Sequence, residues 1–111
     1  MEISFATQRL QRLCESAKPL QRTLGPPCAP KVMARLKDLA AAPTLEEFRE
    51  LPGRCHELTG DRQCRLALEL AGGRRLLFRP SQNPVPRNDD GGLDWRQVDA
   101  IEVTEIVDYS D

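Results

Sequence analysis

The sequence predicts an α+β fold in which an N-terminal strand and helices pack on one face of a mostly antiparallel sheet. Apolar residues recur at helical spacing up to position 52, and after Gly53 they alternate at every second position. A β-branched run at 100–107 then predicts a last strand. The length of 111 residues predicts one domain covering 1–111.

The N-terminal part of the chain predicts a strand followed by a helix. Residues 2–6 alternate between apolar and polar side chains, as a short strand does. Thr7 is the expected N-cap of the helix that follows. We expect Pro19 to interrupt this helix and Gly25-Pro26-Pro27 to end its continuation. The apolar stripe of the helix is formed by Leu10, Leu13, Cys14 and Ala17.

Two further helices are predicted before position 53. Pro30 suits the first turn of a helix, and Pro43 is expected to stop it. Its apolar stripe is formed by Val32, Met33, Leu36, Leu39 and Ala40. Thr44 is then the expected N-cap of a short helix that begins with a capping box. Pro52-Gly53 closes this short helix.

Most of the sheet is predicted in the second half of the chain. Residues 54–58 are strand-like, and residues 64–70 alternate as a half-buried strand does. Ala71-Gly72-Gly73 predicts a hairpin turn into a further strand. Residues 80–99 contain three prolines and a cluster of Asn, Asp and Gly, which predicts a long loop. Trp95 is expected to fix the end of this loop to the body.

Charge is divided unevenly along the chain. Residues 1–79 contain 14 Lys or Arg and 9 Asp or Glu, a net charge of +5. Residues 80–111 contain 2 and 8, a net charge of −6. A basic body beside an acidic C-terminal part is typical of a chain that contacts a polyanion with one region only. Two solvated surfaces that attract each other are the structural alternative.

Cysteine usage and the N-terminus predict a cytoplasmic protein with reduced thiols. No signal sequence is recognisable, and no apolar run approaches the roughly 20 residues of a membrane helix, so no membrane partner is expected. Cysteines at 14, 28, 55 and 64 form no Cys-x-x-Cys pair, and the single histidine, His56, directly follows Cys55. We therefore expect buried, unreactive cysteines, no metal site and no cofactor.

A few side chains suit the chemistry of RNA cleavage. His56, Arg75 and Tyr109 lie on or just after predicted strands. Cleavage requires removal of a proton from a 2′-hydroxyl, neutralisation of the phosphorane charge and protonation of the leaving oxygen. Histidine titrates near neutral pH, and arginine offers a planar fork to phosphate oxygens. An ordinary strand histidine is the alternative for His56.

Three segments resemble the HigB-like killer proteins, which are toxins of the RelE/ParE toxin–antitoxin superfamily. The first is Leu51-Pro52-Gly53 followed by His56-Glu57-Leu58-Thr59-Gly60-Asp61-Arg62, close to the pattern Leu-His-x-Leu-Lys-Gly-Asp-Arg of that family. The second is the strand pair around Gly72-Gly73-Arg74-Arg75-Leu76-Leu77-Phe78. The third is the ending Glu105-Ile106-Val107-Asp108-Tyr109. The order of strand, helices and strands agrees with the family over nearly the whole chain.

The resemblance implies a ribonuclease-like fold, metal-independent cleavage of mRNA on the ribosome, and inhibition by a cognate antitoxin. By position, His56 is implied to be an acid/base or phosphate-orienting residue, and Arg75 to stabilise the scissile phosphate. Asp108 and Tyr109 are implied to position RNA and assist proton transfer. A basic surface expected to contact RNA phosphates comprises Arg9, Arg12, Arg35, Lys37, Arg62, Arg65 and Arg74.

The sequence departs from the family pattern at several positions. Thr59 replaces a lysine, Ser110 replaces the terminal histidine, and Arg74 replaces an aromatic residue. The loop at 80–99 is longer than the usual hairpin, and the sequence pI is about 5.9. Two alternatives to an active toxin therefore stay open. One is a catalytically degenerate regulator or binding module with the toxin fold, and the other is a structural domain without a nucleic-acid role.

Overall fold

The computed structural model describes residues 1–108 and confirms the α+β class. Five strands and four α-helices are present in this part of the chain. The strands are β1 (Glu2–Phe5), β2 (His56–Glu57), β3 (Leu66–Glu69), β4 (Arg74–Pro80) and β5 (Ala100–Asp108). The helices are α1 (Gln8–Cys14), α2 (Ala17–Leu24), α3 (Ala29–Ala41) and α4 (Leu45–Phe48). No helix among the described residues is long and apolar enough to cross a membrane.

The strands form one open, mixed sheet in the order β1-β5-β4-β3-β2. The four pairings in this order are antiparallel except the one between β1 and β5, which is parallel. All four helices lie between β1 and β2 in the sequence, so the chain builds the helical layer before most of the sheet. The two glycines of the predicted hairpin turn adopt φ of +70° and +78°, which glycine accepts without steric cost.

The helical layer follows the predicted caps but differs at Pro19. The Thr7 hydroxyl accepts from the Leu10 amide at 3.1 Å, and Thr44 caps α4 in the same way. Pro19 was expected to interrupt the first helix, but that helix ends at Cys14. Pro19 instead lies in the first turn of α2, where a missing amide proton breaks no helical hydrogen bond.

The hydrophobic core lies between the helices and one face of the sheet. Its largest fully buried side chains are Phe48, Phe78, Leu20, Leu39, Leu45, Leu66, Leu68, Leu76 and Ile101. Met33, assigned to the buried stripe of its helix from the sequence, is 42% exposed, so that assignment was wrong. Val32 takes the buried position beside it.

The long loop is confirmed, and its end is fixed to the body as predicted. Only an isolated bridge between Arg87 and Leu93 and a 3-10 turn at Trp95–Gln97 give it regular structure. Trp95 is 8% exposed, and its Nε1 donates to a Glu57 carboxylate oxygen at 3.0 Å. The Arg49 guanidinium lies over the indole, 4.1 Å from the ring centroid. The loop end is therefore held to both β2 and the C-terminal end of α4.

One irregularity in β5 affects which face its residues occupy. Phe78 pairs with Val103, and Leu77 pairs with Glu105, so Thr104 is an extra residue in β5. Such a bulge bends the strand locally. The Thr104 hydroxyl donates to the Leu77 carbonyl at 3.1 Å. Ile101, Val103 and Ile106 consequently share the helix-covered face although their spacing is not strictly alternating.

Candidate functional site: the open face of the sheet

The face of the sheet opposite the helices carries most of the predicted site residues. Cross-strand partners lie in rows on one face, because side chains alternate along each strand. The central row of this open face consists of His56, Ala67, Leu77 and Glu105. Ala67 and Leu77 are buried, while His56 and Glu105 are exposed at the two ends.

Charged rows flank this central row on both sides. Arg79 pairs with Glu102 on one side, and Glu69, Arg75 and Val107 form the row on the other side. The side chains of the open face are therefore mostly charged, in contrast to the leucines that face the helices.

A groove of about 790 Å³ lies at one end of this face. Its walls come from the turn before β3, from β4 and β5, and from the long loop. Four arginines line it: Arg62, Arg65, Arg79 and Arg87. We call it the arginine groove. Arg62 and Arg65 were predicted as RNA contacts, whereas Arg79 and Arg87 were not.

Carboxylates pair with two of these arginines. Arg65 donates to Asp61 and to Glu105, each at 2.8 Å, and Arg79 donates to Glu102 at 2.9 Å. Arg62 is exposed and forms no ion pair with a carboxylate of residues 1–108. The groove therefore holds two cations fixed by carboxylates and two cations, Arg62 and Arg87, without such pairing among these residues.

The ion pair between Asp61 and Arg65 shifts the pKa of both side chains. Partial burial raises the pKa of Asp61, but hydrogen bonds from the Arg65 guanidinium and the Gln63 amide outweigh burial and lower it overall. The same bond to Asp61, together with one to Glu105, raises the pKa of Arg65. Asp61 and Arg65 are therefore both charged over a wide pH range, and the groove keeps its cation.

His56 stands at the outer edge of the open face. Its Nδ1 lies 2.9 Å from the Arg54 carbonyl oxygen, which only accepts hydrogen bonds. The bond therefore places the proton on Nδ1, and in the neutral ring Nε2 is the free acceptor. This is the state that a general base requires. Arg75 shares the face two strands away and two positions along, which corresponds to roughly 12 Å between Cα atoms.

Arg74 and Asp108 lie on the helix-covered face and not with His56 and Arg75. They are cross-strand partners, and Arg74 Nε is 3.7 Å from an Asp108 oxygen. Arg74 also donates to the Leu24 carbonyl at the C-terminal end of α2. Arg74, predicted to contact RNA, thus joins α2 to the sheet. Tyr109 and Ser110 lie outside the described residues.

Sequence reasoning missed Arg79 and Arg87 for two different reasons. Arg79 alternates with Phe78 on β4 and so had a visible signal, but its pairing with Glu102 depends on the register across the bulge. Arg87 lies in the long loop, and no local pattern indicates that the loop returns to the turn before β3. There Arg87 Nη2 lies 3.3 Å from Cys64 Sγ.

The cysteines agree only in part with the expectation of buried, unreactive thiols. Cys14 and Cys28 are buried, and burial raises the pKa of Cys14 to about 11. Burial raises the pKa of Cys55 to about 12. Cys55 and Cys64 are only partly buried, and Cys64 lines the arginine groove, so the expectation of full burial was wrong for these two. Within residues 1–108, no group of three His, Cys, Asp or Glu side chains is placed to hold a metal ion.

Neither a protein-family model, nor a curated protein, nor a solved structure matches this chain. Its function is therefore inferred from its own residues and their geometry.

Proposed function

We propose that the chain is the toxin of a bacterial toxin–antitoxin system, a metal-independent endoribonuclease that cleaves mRNA on the ribosome. A cognate antitoxin would hold it inactive. The observation that carries this proposal is that the arginine groove, His56 and Arg75 occupy one face of the sheet. The order of strand, helices and strands also agrees with what the RelE/ParE resemblance implies.

The groove is suited to the phosphate backbone of RNA. Arginine offers paired N–H donors that match phosphate oxygens, and such contacts position a nucleic acid without reading its sequence. Arg62 and Arg87 are exposed, although the Arg87 guanidinium already donates to the Gly91 carbonyl at 3.0 Å and to Cys64 Sγ at 3.3 Å. Arg65 and Arg79 are each paired with carboxylates, which limits how strongly they can bind RNA phosphates. A weak backbone site suits an enzyme that meets its substrate on the ribosome.

The reaction requires a base, a charge-stabilising group and an acid. In this proposal His56 Nε2 removes the proton of a ribose 2′-hydroxyl, and the oxygen attacks the adjacent phosphorus. Arg75 stabilises the negative charge of the phosphorane. A substrate lying across the central row would occupy the space between them. Tyr109 stays as the candidate for the acid, whereas Asp108 projects to the helix-covered face, so any role of Asp108 in RNA positioning requires contact from that side.

Growth and translation after tightly controlled induction test the enzymatic proposal. Wild type is expected to arrest translation, and the double variant His56→Ala/Arg75→Ala is expected to abolish the arrest. A matched double variant, Lys18→Ala/Lys31→Ala, removes two exposed cations from the helical layer, one from α2 and one from α3, and is expected to arrest growth as wild type does. Continued growth with induced, folded wild type would show that the proposal is wrong.

A second function is favoured by the position of the loop. Val85 and Arg87 of the loop line the arginine groove. In addition, Glu105 and Glu102 of β5 form ion pairs with Arg65 and Arg79. These contacts suit a catalytically degenerate toxin-fold protein that acts as a regulator or binding module and covers its own RNA groove. Asp108 and Arg75 also lie on opposite faces of the sheet, which suits a site that has lost its chemistry.

Arg87→Ala separates the two functions by the sign of its effect. If Arg87 contacts RNA, the variant binds single-stranded RNA more weakly. The slope of log K against log salt, which is negative, then becomes less steep by about 0.7. If Arg87 holds the loop over the groove, the variant binds RNA more tightly. Arg96→Ala, which removes an exposed loop cation that does not line the groove, is the control. Fluorescence anisotropy at several salt concentrations gives both values.

A further inference from the structure

His56 lies on a strand that the sheet itself holds weakly. β2 contains two residues, is the outermost strand at its end of the sheet and, among the described strands, pairs with β3 alone. On one side of this pairing the Leu58 amide donates to the Arg65 carbonyl at 2.9 Å. On the other side the Glu69 amide donates to the Gly53 carbonyl at 2.7 Å. Segments with few backbone bonds are the first to open locally. The position of His56 therefore depends on what holds β2 from outside the sheet.

The end of the long loop supplies such support on the helix-covered face. Glu57 follows His56 and pairs with the buried Leu66, so the two neighbours on β2 project to opposite faces. Trp95 Nε1 donates to Glu57 Oε2 at 3.0 Å, and the bond is partly buried. A hydrogen bond to a charged acceptor is stronger than one between neutral groups. We call this bond, together with the Arg49 guanidinium over the indole, the Trp95 clasp.

The residues on both sides of Trp95 are themselves fixed. Asp94 is 4% exposed, and its carboxylate accepts from Gln97 Nε2 at 2.6 Å. The Val98 carbonyl accepts from the Leu45 amide at 2.9 Å, which ties the chain after Trp95 to the start of α4. A side chain that positions another residue needs support of this kind, because a mobile side chain fixes nothing.

The hydrogen bond that orients the His56 ring depends on the backbone just before β2. His56 Nδ1 lies 2.9 Å from the Arg54 carbonyl oxygen, which keeps the proton on Nδ1 and leaves Nε2 free. Arg54 adopts a φ of +54°, in the left-handed region that residues other than glycine rarely occupy. Such a conformation persists only where the surrounding structure holds it. Release of β2 would let Arg54 relax and would break its bond to the ring.

We propose that Trp95 is a positioning residue, which acts through Glu57 to hold β2 and thereby fixes the orientation and tautomer of His56. Its catalytic consequence rests on the proposed function, but the state of the His56 ring is measurable without any reaction. A displacement of a reacting group by about 1 Å can lower a rate by about 100-fold. An indole of the long loop thus serves the open face from the opposite side of the sheet.

NMR of the imidazole ring tests the proposal directly. His56 is the single histidine of the chain, so long-range proton–nitrogen spectra of a tag-free protein report on this ring alone. In the neutral ring of the wild type we expect the tautomer protonated on Nδ1. Trp95→Phe is expected to shift the ring toward the tautomer protonated on Nε2, which free histidine prefers. Glu57→Ala is expected to do the same, and because it alters an exposed side chain it keeps the test valid if Trp95→Phe does not fold.

Three further variants separate the clasp from side effects. Glu57→Gln removes the charge but keeps an oxygen that accepts from the indole N–H, so the wild-type tautomer is expected. Ile101→Val weakens the core in β5, three strands from β2, and is expected to leave the ring unchanged. Trp95→Phe/Glu57→Ala is expected to shift the ring no further than either single variant, because both substitutions remove the same bond.

Cleavage of ribosome-bound mRNA then connects the state of the ring to the rate. With enzyme in excess, Trp95→Phe and Glu57→Ala are expected to lower the single-turnover rate constant about tenfold. The enzyme concentration that gives half the maximal rate is expected to change less than about twofold, because the clasp contacts no RNA. Glu57→Gln and Ile101→Val are expected to cleave as wild type does.

The outcomes distinguish this proposal from the proposed function. An unchanged His56 ring in both Trp95→Phe and Glu57→Ala would overturn the proposal, and so would an equal shift in Ile101→Val. A shifted ring with an unchanged cleavage rate would also overturn it, since catalysis would then not need the state that the clasp holds. If the wild type cleaves no RNA but the ring shifts in both variants, the ribonuclease assignment is wrong and the hold of Trp95 on His56 is upheld.

Discussion

The two faces of the sheet are made by the same strands but depend on different interactions. On the helix-covered face, Leu68, Leu76 and Phe78 are fully buried in the core. On the open face, Arg75, Glu102 and Glu105 surround Ala67 and Leu77. Core packing is costly to disturb, whereas partly exposed ion pairs contribute little to stability. Substitutions on the helix-covered face are therefore expected to change stability, and substitutions on the open face to change binding.

The largest expected effect is on the helix-covered face. Phe78→Ala removes a fully buried ring from the centre of β4 and should lower the free energy of unfolding by about 3–5 kcal/mol. Its neighbour Arg79 points to the open face, so Arg79→Ala should lower it by about 1 kcal/mol or less. Urea denaturation of both variants measures the difference. Equal losses would contradict the contrast between the two faces.

A smaller effect is expected where the loop is attached. Trp95→Phe keeps an aromatic side chain but replaces the indole with a smaller phenyl ring and removes the Nε1 hydrogen bond to Glu57. Loss of the hydrogen bond alone should lower the free energy of unfolding by about 0.5–3 kcal/mol. Because this bond joins the loop end to β2, hydrogen exchange should increase in the loop and at His56–Glu57. Exchange in α3 serves as the internal control. Uniform acceleration across the molecule would indicate global destabilisation and not release of the loop.

The smallest effect concerns pH. Asp61 has a lowered pKa in the folded protein, so its contribution to stability is present above its unfolded pKa of about 3.9 and lost as pH falls through the folded value. Asp61→Asn should therefore be less stable than wild type at pH 7, by about 1 kcal/mol or less. The difference should shrink below pH 4. Thermal unfolding at pH 7, 5 and 3 tests this, and a constant difference would exclude ionisation as its cause.

Local signals predicted most of the fold. Thr7 and Thr44 cap helices as expected, and the double glycine at 72–73 forms the hairpin turn because its backbone requires positive φ. Pro19 was misplaced because a proline is equally compatible with the end of one helix and the first turn of the next. Met33 was misassigned because helical spacing cannot decide which of two adjacent apolar residues faces the core.

The candidate site was less predictable because it depends on strand register. His56 and Arg75 share a face only because β3 and β4 pair as they do, with Ala67 opposite both His56 and Leu77. Arg74 and Arg75 are adjacent in sequence, yet they project to opposite faces. The return of the loop to the turn before β3 is a long-range contact with no local pattern. The sequence therefore indicated which residues suit RNA binding and cleavage, but strand register decides which of them lie on the same face of the sheet.

The extra residue Thr104 acts as a phase shift in β5. Before it, odd-numbered residues face the helices, and after it, even-numbered residues do. A strand shortened by this one residue would keep every remaining side chain on its present face and lose the bend and the Thr104 hydrogen bond to the Leu77 carbonyl. The bulge also comes directly after Val103, where pairing with β1 ends. The extra residue therefore lengthens β5 without changing which of its side chains face the core. Pairing with β1 ends at this bend, and Ile106 beyond it still lies on the helix-covered face.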